Sequence, residues 1–399
     1  MKLHKNLCEA VINGLDQVFI QDAYANQVVE QLLLSNKKWG ARDRNFIAEH
    51  LYSLVRYYRL YCYGAGLAGI SSNGDTWLVL AAYFIDKGFL LPAWPEWVDT
   101  DTDAVRLRIE EGQAIRKIRE SVPDWLDEVG IHQLGSKWED EIHALNQPAP
   151  LCIRVNTLKA TQETVVEFLR SEEIDFSLSA DAPDAIVINS KKNLRNSYAY
   201  KSGWFEMQDI SSQQVARALD PRPAMTVIDA CAGAGGKTLH IAALMQGKGE
   251  IIAIDLYPEK LKELENRARR NGAGNIRTLL YADGIEGNYR SEADRLLLDV
   301  PCSATGVIRR NPDTKWKLSK EELDRLVGVQ GEILDRYKVM LKVGGIMVYA
   351  TCSILPMENE DQIAAFISRD PSFKILSEKR ISPAENGGDG FYICKLIKN

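Results

Sequence analysis

Several things are scarce in this 399-residue chain, and each scarcity excludes something. The longest apolar run, Trp77 to Ile85, falls far short of the ~20 residues that span a bilayer. No apolar signal-peptide core follows the opening Met-Lys-Leu-His-Lys. Cysteine is sparse: seven residues, an odd number without any Cys-x-x-Cys pair, which speaks against a disulfide framework or a zinc knuckle. The five histidines are scattered and none has ligand-like spacing to a partner, so no metal is expected. Positive charge is not in excess either. Lys and Arg number 49 against 55 Asp and Glu, a net charge of −6. A polybasic nucleic-acid binder is thereby excluded, and any RNA or DNA contact must come from local patches. No repeat period or low-complexity tract shows. A soluble, cytoplasmic, monomeric protein without membrane contact is the expectation.

What is present belongs to a folded globular chain, 45% hydrophobic and 26% charged. At roughly 150 residues per domain, the length predicts two or three domains. Residues 1–145 read as helices. Phe46, Ile47, Leu51, Leu54, Val55 and Tyr58 recur at three- and four-residue spacing, and Trp77 to Phe84 is apolar enough to be central to a bundle. Asp99 to Asp103 reads as a polar linker, and helical composition resumes from Val105 to Arg119. Asn146-Gln-Pro-Ala-Pro150 breaks that pattern, because two prolines favour extended backbone. Residues 146–205 read as a small α+β unit, with strands at Leu151 to Asn156 and Ala185 to Ile188 around a short helix, Thr161 to Leu169. From 206 to 399, apolar strands alternate with amphipathic helices. Thr226 to Asp229, Ile251 to Asp255, Arg295 to Asp299 and Gly345 to Thr351 are the strands, with Pro258 to Asn271 and Glu321 to Leu341 among the helices. That alternation predicts an α/β domain with a mostly parallel sheet covered on both faces. Ligands bind at the carboxyl ends of such strands, where Asp229, Asp255, Asp299 and Thr351 stand.

A glycine loop, Asp229-Ala-Cys-Ala-Gly-Ala-Gly-Gly-Lys-Thr238, joins the first of these strands to a helix. A P-loop would need its first glycine where Cys231 stands. A dinucleotide fingerprint would need a third small residue where Thr238 stands. A third reading is an S-adenosylmethionine loop, whose small residues let the backbone approach the cofactor while the helix amino end faces a carboxylate. Asp255, at the end of the next strand, suits both ribose hydroxyls. A purely structural tight turn is the remaining alternative.

Two cysteines follow apolar strands on that same edge, in Asp299-Val-Pro-Cys-Ser-Ala-Thr-Gly306 and Ala350-Thr-Cys-Ser353. Cys8, Cys62, Cys152 and Cys394 read as small buried hydrophobes, and Cys231 as a residue chosen for size. One methylation requires a thiolate. Carbon 5 of cytosine is a poor nucleophile until a thiolate adds to carbon 6; afterwards the carbon 5 proton must leave and the thiol be eliminated. An acid near nitrogen 3 stabilises the adding charge, and Asp299 lies three residues before Cys302. The residues alone do not order the two cysteines, since DNA cytosine methyltransferases attack with the Pro-Cys cysteine.

Taken together, these motifs resemble the RsmB/Sun family of RNA (cytosine-5)-methyltransferases over about Met207 to Ile367, with Gln208-Asp209 also fitting. Val307-Ile-Arg-Arg-Asn-Pro-Asp-Thr-Lys-Trp316 resembles the bacterial ribosomal RNA branch, and Arg42-Asp-Arg-Asn-Phe46 with Leu54-Val-Arg56 resembles that branch's NusB-like RNA-binding domain. The resemblance implies a Rossmann-like class I methyltransferase domain behind a small α+β subdomain and an all-α NusB-like domain. It implies Cys352 as nucleophile and Cys302 as the residue assisting release of product. Cys231, Ala232, Gly233, Ala234, Gly235, Gly236 and Lys237 would hold S-adenosylmethionine, with Asp255 on the ribose and Asp283 near the adenine. Asp299 would bridge cofactor and target base. One departure is visible: the family usually has Ala-Pro where this chain has Gly233-Ala234, which loosens the turn.

RNA contact is expected just after the Pro-Cys motif. Arg309, Arg310, Lys315, Lys317 and Lys320 face only one acid there, Asp313, and Trp316 sits among them. Basic groups can hold phosphates while an aromatic stacks on an extruded base. Lys191, Lys192, Arg195 and Lys201 form a second cluster. A single-stranded or loop segment of small-subunit ribosomal RNA is the expected substrate, with tRNA as the alternative. A noncatalytic RNA-binding or assembly factor is the reading from another class.

Overall fold

The computed structural model describes residues 3–179, 182–190 and 192–399. Two compact units emerge. One comprises Met1–Gln147 together with Ile308–Lys320, the other Pro148–Val307 together with Glu321–Asn399. The first unit therefore takes a segment from the middle of what the sequence presents as one continuous domain over 206–399.

The first unit is helical. Helices Lys5–Phe19, Ala41–Arg56 and Asn73–Asp86 bury Leu15, Ile47, Leu51, Val55, Leu80 and Phe84 in a shared core. At ~1.5–3 kcal/mol per buried large side chain, such a core is the main favourable term. Ser72 caps the Asn73–Asp86 helix by accepting from the Asp75 N–H at 3.2 Å. The expected apolar periodicity holds from Phe46 to Val55, but the helix ends at Arg56 and Tyr58 opens another, Tyr58–Ala65.

The second unit contains two sheets. β1 (Leu151–Val155), β2 (Phe176–Leu178), β3 (Ala185–Ile188) and β4 (Phe205–Met207) form an antiparallel sheet in the order β2-β3-β1-β4. Helix Gln162–Ser171, capped by Thr161, accompanies it. The α+β subdomain thus runs two residues beyond the expected end at 205, because β4 pairs with β1 rather than with the larger sheet.

The larger sheet contains β5 (Thr226–Asp229), β6 (Glu250–Asp255), β7 (Ile276–Leu280), β8 (Ala293–Asp299), β9 (Leu341–Thr351), β10 (Phe373–Ile381) and β11 (Phe391–Lys398). Its order is β10-β11-β9-β8-β5-β6-β7, with β5 to β9 parallel and β10 and β11 antiparallel. Alternate residues bury opposite faces: Ile228, Leu296 and Met347 on one, Val227, Leu297 and Val348 on the other. Double burial explains why these strands read as unbroken apolar runs. The chain runs outward from β5 through β7 and returns to place β8 beside β5. The carboxyl ends of β5 and β8 therefore flank a topological switch point.

Candidate active site

The glycine loop is sewn into the sheet by its own backbone. Ala230 N–H donates to the Leu297 carbonyl and Ala232 N–H to that of Ile254, both at 3.0 Å. Gly235, with φ of +84°, caps helix Gly236–Leu244, and a Cβ there would lie 2.5 Å from Leu264 Cγ. Only glycine meets both demands. Gly233 is also left-handed, at φ +53°, but a Cβ there would meet nothing within 4 Å. Asp229 is buried, and its carboxylate accepts from Thr238 Oγ1 at 2.7 Å. Burial pushes its pKa up to about 7. Asp229 thus clamps strand to helix rather than facing a ligand.

In front of this loop lies a cavity of about 390 Å³. Of the residues expected to hold a cofactor, Cys231, Gly233, Asp255 and Asp299 line it. Asp255 accepts from Gly233 N–H at 2.7 Å and from Tyr257 N–H at 3.0 Å. The other expected cofactor residues stand behind the lining. Ala234 and Gly236 offer their carbonyls backwards, to Arg267 at 2.7 Å and to Arg154 at 2.8 Å. Arg267 is in turn held by the buried Glu206 of β4 at 3.0 Å, and Arg154 of β1 also meets Gln208. The smaller sheet therefore fixes the loop from its far side. Asp283 is exposed and accepts from Tyr281 Oη at 2.9 Å; of that pair, Tyr281 lines the cavity.

Sequence reasoning missed one wall. Val329, Glu332, Ile333, Arg336 and Tyr337 line the cavity from helix Lys320–Tyr337. Their spacing of three and four residues was a readable signal of one helix face, but no motif marked it as a binding face.

Beside the cavity, Lys237 Nζ donates to Asp299 Oδ2 at 2.6 Å. Burial works against the ammonium, but the adjoining Asp299 carboxylate outweighs it, and the Lys237 pKa is raised. Cys302 Sγ and Cys352 Sγ lie 3.3 Å apart as free thiols, both half-buried. The hydrogen bond with Cys352, and then burial, hold the Cys302 thiol well above its ordinary pKa. Their loops are pinned by Gly306, whose N–H donates to the Cys352 carbonyl at 2.9 Å. A Cβ at Gly306 would sit 2.2 Å from the Gly390 carbonyl oxygen, so the Thr-Gly ending of the Pro-Cys motif is a packing requirement.

The expected RNA-binding stretch needs correction. Lys315 is fully buried in the helical unit, and its Nζ donates to the carbonyls of Arg56 at 2.8 Å and Glu120 at 3.1 Å and to Asn146 Oδ1 at 3.1 Å. Burial, followed by repulsion from Arg56, lowers its pKa. Trp316 Nε1 donates to the Val55 carbonyl at 2.8 Å, and its ring packs edge-on to Tyr58. Lys317 bonds the Val18 carbonyl at 3.0 Å and pairs with Asp22. Arg309 is buried, its carbonyl accepting from Arg56 at 2.8 Å, and Arg310 is half-buried. These groups tie their segment into the helical unit, so Lys315, Trp316, Lys317 and Arg309 do not form a free phosphate-binding face. Of the second cluster, Lys191 lies outside the described residues. Arg195 and Lys201 are exposed, and Lys192 donates to the Glu172 carbonyl. Among the described residues no group of three or more His, Cys, Asp or Glu is placed to hold a metal ion, and no helix is long and apolar enough to cross a membrane.

Parallel strands flanking a switch point, a glycine loop with an acid on the next strand, and the cavity between them define a Rossmann-like methyltransferase fold. Solved structures agree. PH0851 superposes over 100% of both chains with a TM-score of 0.84 at 24% identity, which concerns the fold alone. A methyltransferase homolog protein from Pyrococcus horikoshii matches with a TM-score of 0.65 at 26% identity, covering 71% of this chain and 98% of that one. Residues 216–397 match the family described as 16S rRNA methyltransferase RsmB/F, and residues 122–195 match the ferredoxin-like domain of RsmF/B-like proteins. Ribosomal RNA small subunit methyltransferase B of Vibrio vulnificus is 36% identical over 291 residues, 69% of this chain and 66% of that protein. By these matches the chain is similar to the RsmB/F family over residues 216–397, and it spans just under two thirds of the length of the curated relatives it matches.

Proposed function

We propose that this protein transfers a methyl group from S-adenosylmethionine to carbon 5 of a cytosine in small-subunit ribosomal RNA, in the cytoplasm, through a covalent adduct on Cys352. The observation that supports this most directly is the pair of thiols 3.3 Å apart at the carboxyl edge of the sheet, in the site that also holds the Lys237–Asp299 pair. When bound, the cofactor supplies an electrophilic methyl group. Its holders are Asp255 for the ribose hydroxyls, the loop at Cys231 and Gly233, and the wall of Tyr257 and Tyr337.

Cys352 Sγ forms a bond to carbon 6, and the ring's electron pair moves toward carbon 5, which becomes nucleophilic. The Lys237 ammonium, paired with Asp299, offsets the negative charge that develops on the base, while Asp299 orients the base by accepting from its amino group. After methyl transfer solvent water takes the carbon 5 proton, and the electron pair left behind re-forms the double bond to carbon 6. The bond from sulfur to carbon 6 breaks to release Cys352 as its thiolate, with assistance from Cys302. A half-buried thiol reaches only a base taken out of its stack, which favours a loop or single-stranded target. Exposed Arg195 and Lys201 on the ferredoxin-like subdomain are assigned to phosphate contact. RNA contact by the helical unit, as a NusB-like domain, rests on resemblance alone.

The test is methyl transfer from labelled cofactor to unmodified small-subunit ribosomal RNA and to total tRNA, with the product mapped by bisulfite sequencing. A single class of ribosomal cytosine should acquire the label as 5-methylcytosine. Label confined to tRNA would move the substrate and keep the chemistry. Label on another atom, or none on either RNA, would overturn the reading in favour of a binding factor.

A further inference from the structure

Behind the two thiols lies a buried acid with no role in the reaction just described. Glu358 follows the Thr-Cys loop, on the short turn Pro356–Glu358, and is completely buried. No cation pairs with it among the described residues. Its carboxylate is held instead by neutral donors: Oε1 accepts from Ser303 N–H at 2.8 Å and Gln330 Nε2 at 3.0 Å, and Oε2 accepts from Ser303 Oγ at 2.5 Å. Two of these three bonds come from the residue directly after Cys302. Burying a carboxyl group is costly, and hydrogen bonds to both oxygens offset that cost.

The same acid also reaches the other cysteine loop. Ser303 Oγ is linked to Thr305 Oγ1 at 3.1 Å, and Thr305 Oγ1 to Ser353 Oγ at 3.0 Å. Tyr349 Oη, from β9, donates to the Glu358 carbonyl at 2.6 Å. One buried network therefore spans the residues following both cysteines. Charge is distributed unevenly across it. The pKa of the Cys302 thiol is raised first by its hydrogen bond with Cys352 and by burial, and the Glu358 carboxylate adds to that direction. Lys237, by contrast, lies on the Cys352 side.

We propose that Glu358 is a positioning residue that decides which thiol carries the proton: it fixes the Pro-Cys loop through Ser303 and sets a negative charge beside Cys302. Cys302 then stays a thiol and donates to Cys352, the attacking sulfur. No bond to Glu358 forms or breaks in the reaction. The proposal rests on the two-cysteine reading above, but it concerns the resting protein and can fail while cytosine methylation stands. Of the charged and titratable groups around the pair, Glu358 acts on Cys302, and Tyr349 lies near Cys302, Glu358 and Cys231. Lys237, itself flanked by Asp299 and Asp229, lies near Cys352.

The experiment is a pH series of iodoacetamide pulses on the full chain, without RNA or cofactor, with Cys302 and Cys352 peptides quantified separately by mass spectrometry. The pH midpoint of each thiol's reaction is the readout, because it does not depend on how accessible that thiol is. In the wild type the midpoint for Cys302 should lie above that for Cys352. Glu358→Gln should lower the Cys302 midpoint by about one unit, a roughly tenfold gain in its reactivity near neutral pH. Glu358→Asp, which keeps the charge, should hold the wild-type order. An unchanged Cys302 midpoint in a folded Glu358→Gln protein would overturn the proposal. A wild-type Cys302 midpoint at or below that of Cys352 would overturn it too, and needs no variant to fold.

Discussion

Lys237 and Lys315 are both largely sealed from water, and their ammonium groups meet opposite surroundings. Lys237 faces the carboxylate of Asp299, which outweighs the cost of burial and raises its pKa. Lys315 is bonded to carbonyl and amide oxygens, and burial together with Arg56 drives its pKa down although the Glu120 carboxylate acts in the other direction. The first lysine holds an acid at the mouth of a cavity; the second closes the interior of a helical unit around helix ends. Burial of a lysine thus says nothing about its function until its partner is known. A carboxylate in direct hydrogen-bond contact separates the two cases here.

The comparison can be broken at either lysine. Lys237→Met should reduce methyl transfer by roughly 10²–10³-fold, the size seen when a charge-stabilising group is lost from an active site. Its melting temperature should barely move, because Asp299 keeps access to water. Steady-state kinetics beside a thermal melt would check both parts. Lys315→Ala should do the reverse. It leaves three oxygens without their donor and a void where the side chain packed, for a loss of about 2–4 kcal/mol in a urea melt. A loss of turnover in that variant at a temperature where it remains folded would erase the distinction.

The smallest effect is a pH dependence that sharpens the contrast between charge kept and charge excluded. Burial lowers the pKa of His50 in the helical unit to about 4 and that of His240, behind the glycine loop, to about 3. Both are neutral in the folded state, whereas an unfolded histidine protonates near pH 6.5. Their contribution to stability is complete above that value and is lost as pH falls toward about 4 and 3. Each steepens the decline by up to about 1.4 kcal/mol per pH unit. His240→Leu should flatten the melting-temperature profile between pH 6.5 and 4, and a profile as steep as the wild type's would contradict the assignment.

Much of the catalytic domain was legible because doubly buried parallel strands end where burial ends, so each apolar run stops at a polar residue such as Asp229, Asp255 or Asp299. The antiparallel pair β10 and β11 was not, since β10 exposes nearly its whole length and carries no alternation. The two cysteines were readable from their strands, whereas their 3.3 Å approach depends on β8 and β9 being neighbours. Misreading the basic stretch has a plain cause. Charge and aromaticity are properties of residue types, and a lysine that donates to three interior oxygens spells the same as one on a phosphate track. Arg154, Glu206 and Arg267 were missed for a related reason: they act on the glycine loop across two sheets, over separations that no linear motif records.

The central claim is that the two adjacent thiols are unequal, with Cys352 bonding the base and Cys302 releasing it. The most direct measurement is denaturing electrophoresis of Cys302→Ala and Cys352→Ala after incubation with unmodified small-subunit ribosomal RNA and S-adenosylmethionine. Cys302→Ala should accumulate a denaturant-resistant protein–RNA adduct, whereas Cys352→Ala should give neither adduct nor methylated cytosine. An adduct that forms in Cys352→Ala, or methyl transfer that survives its loss, would contradict the account.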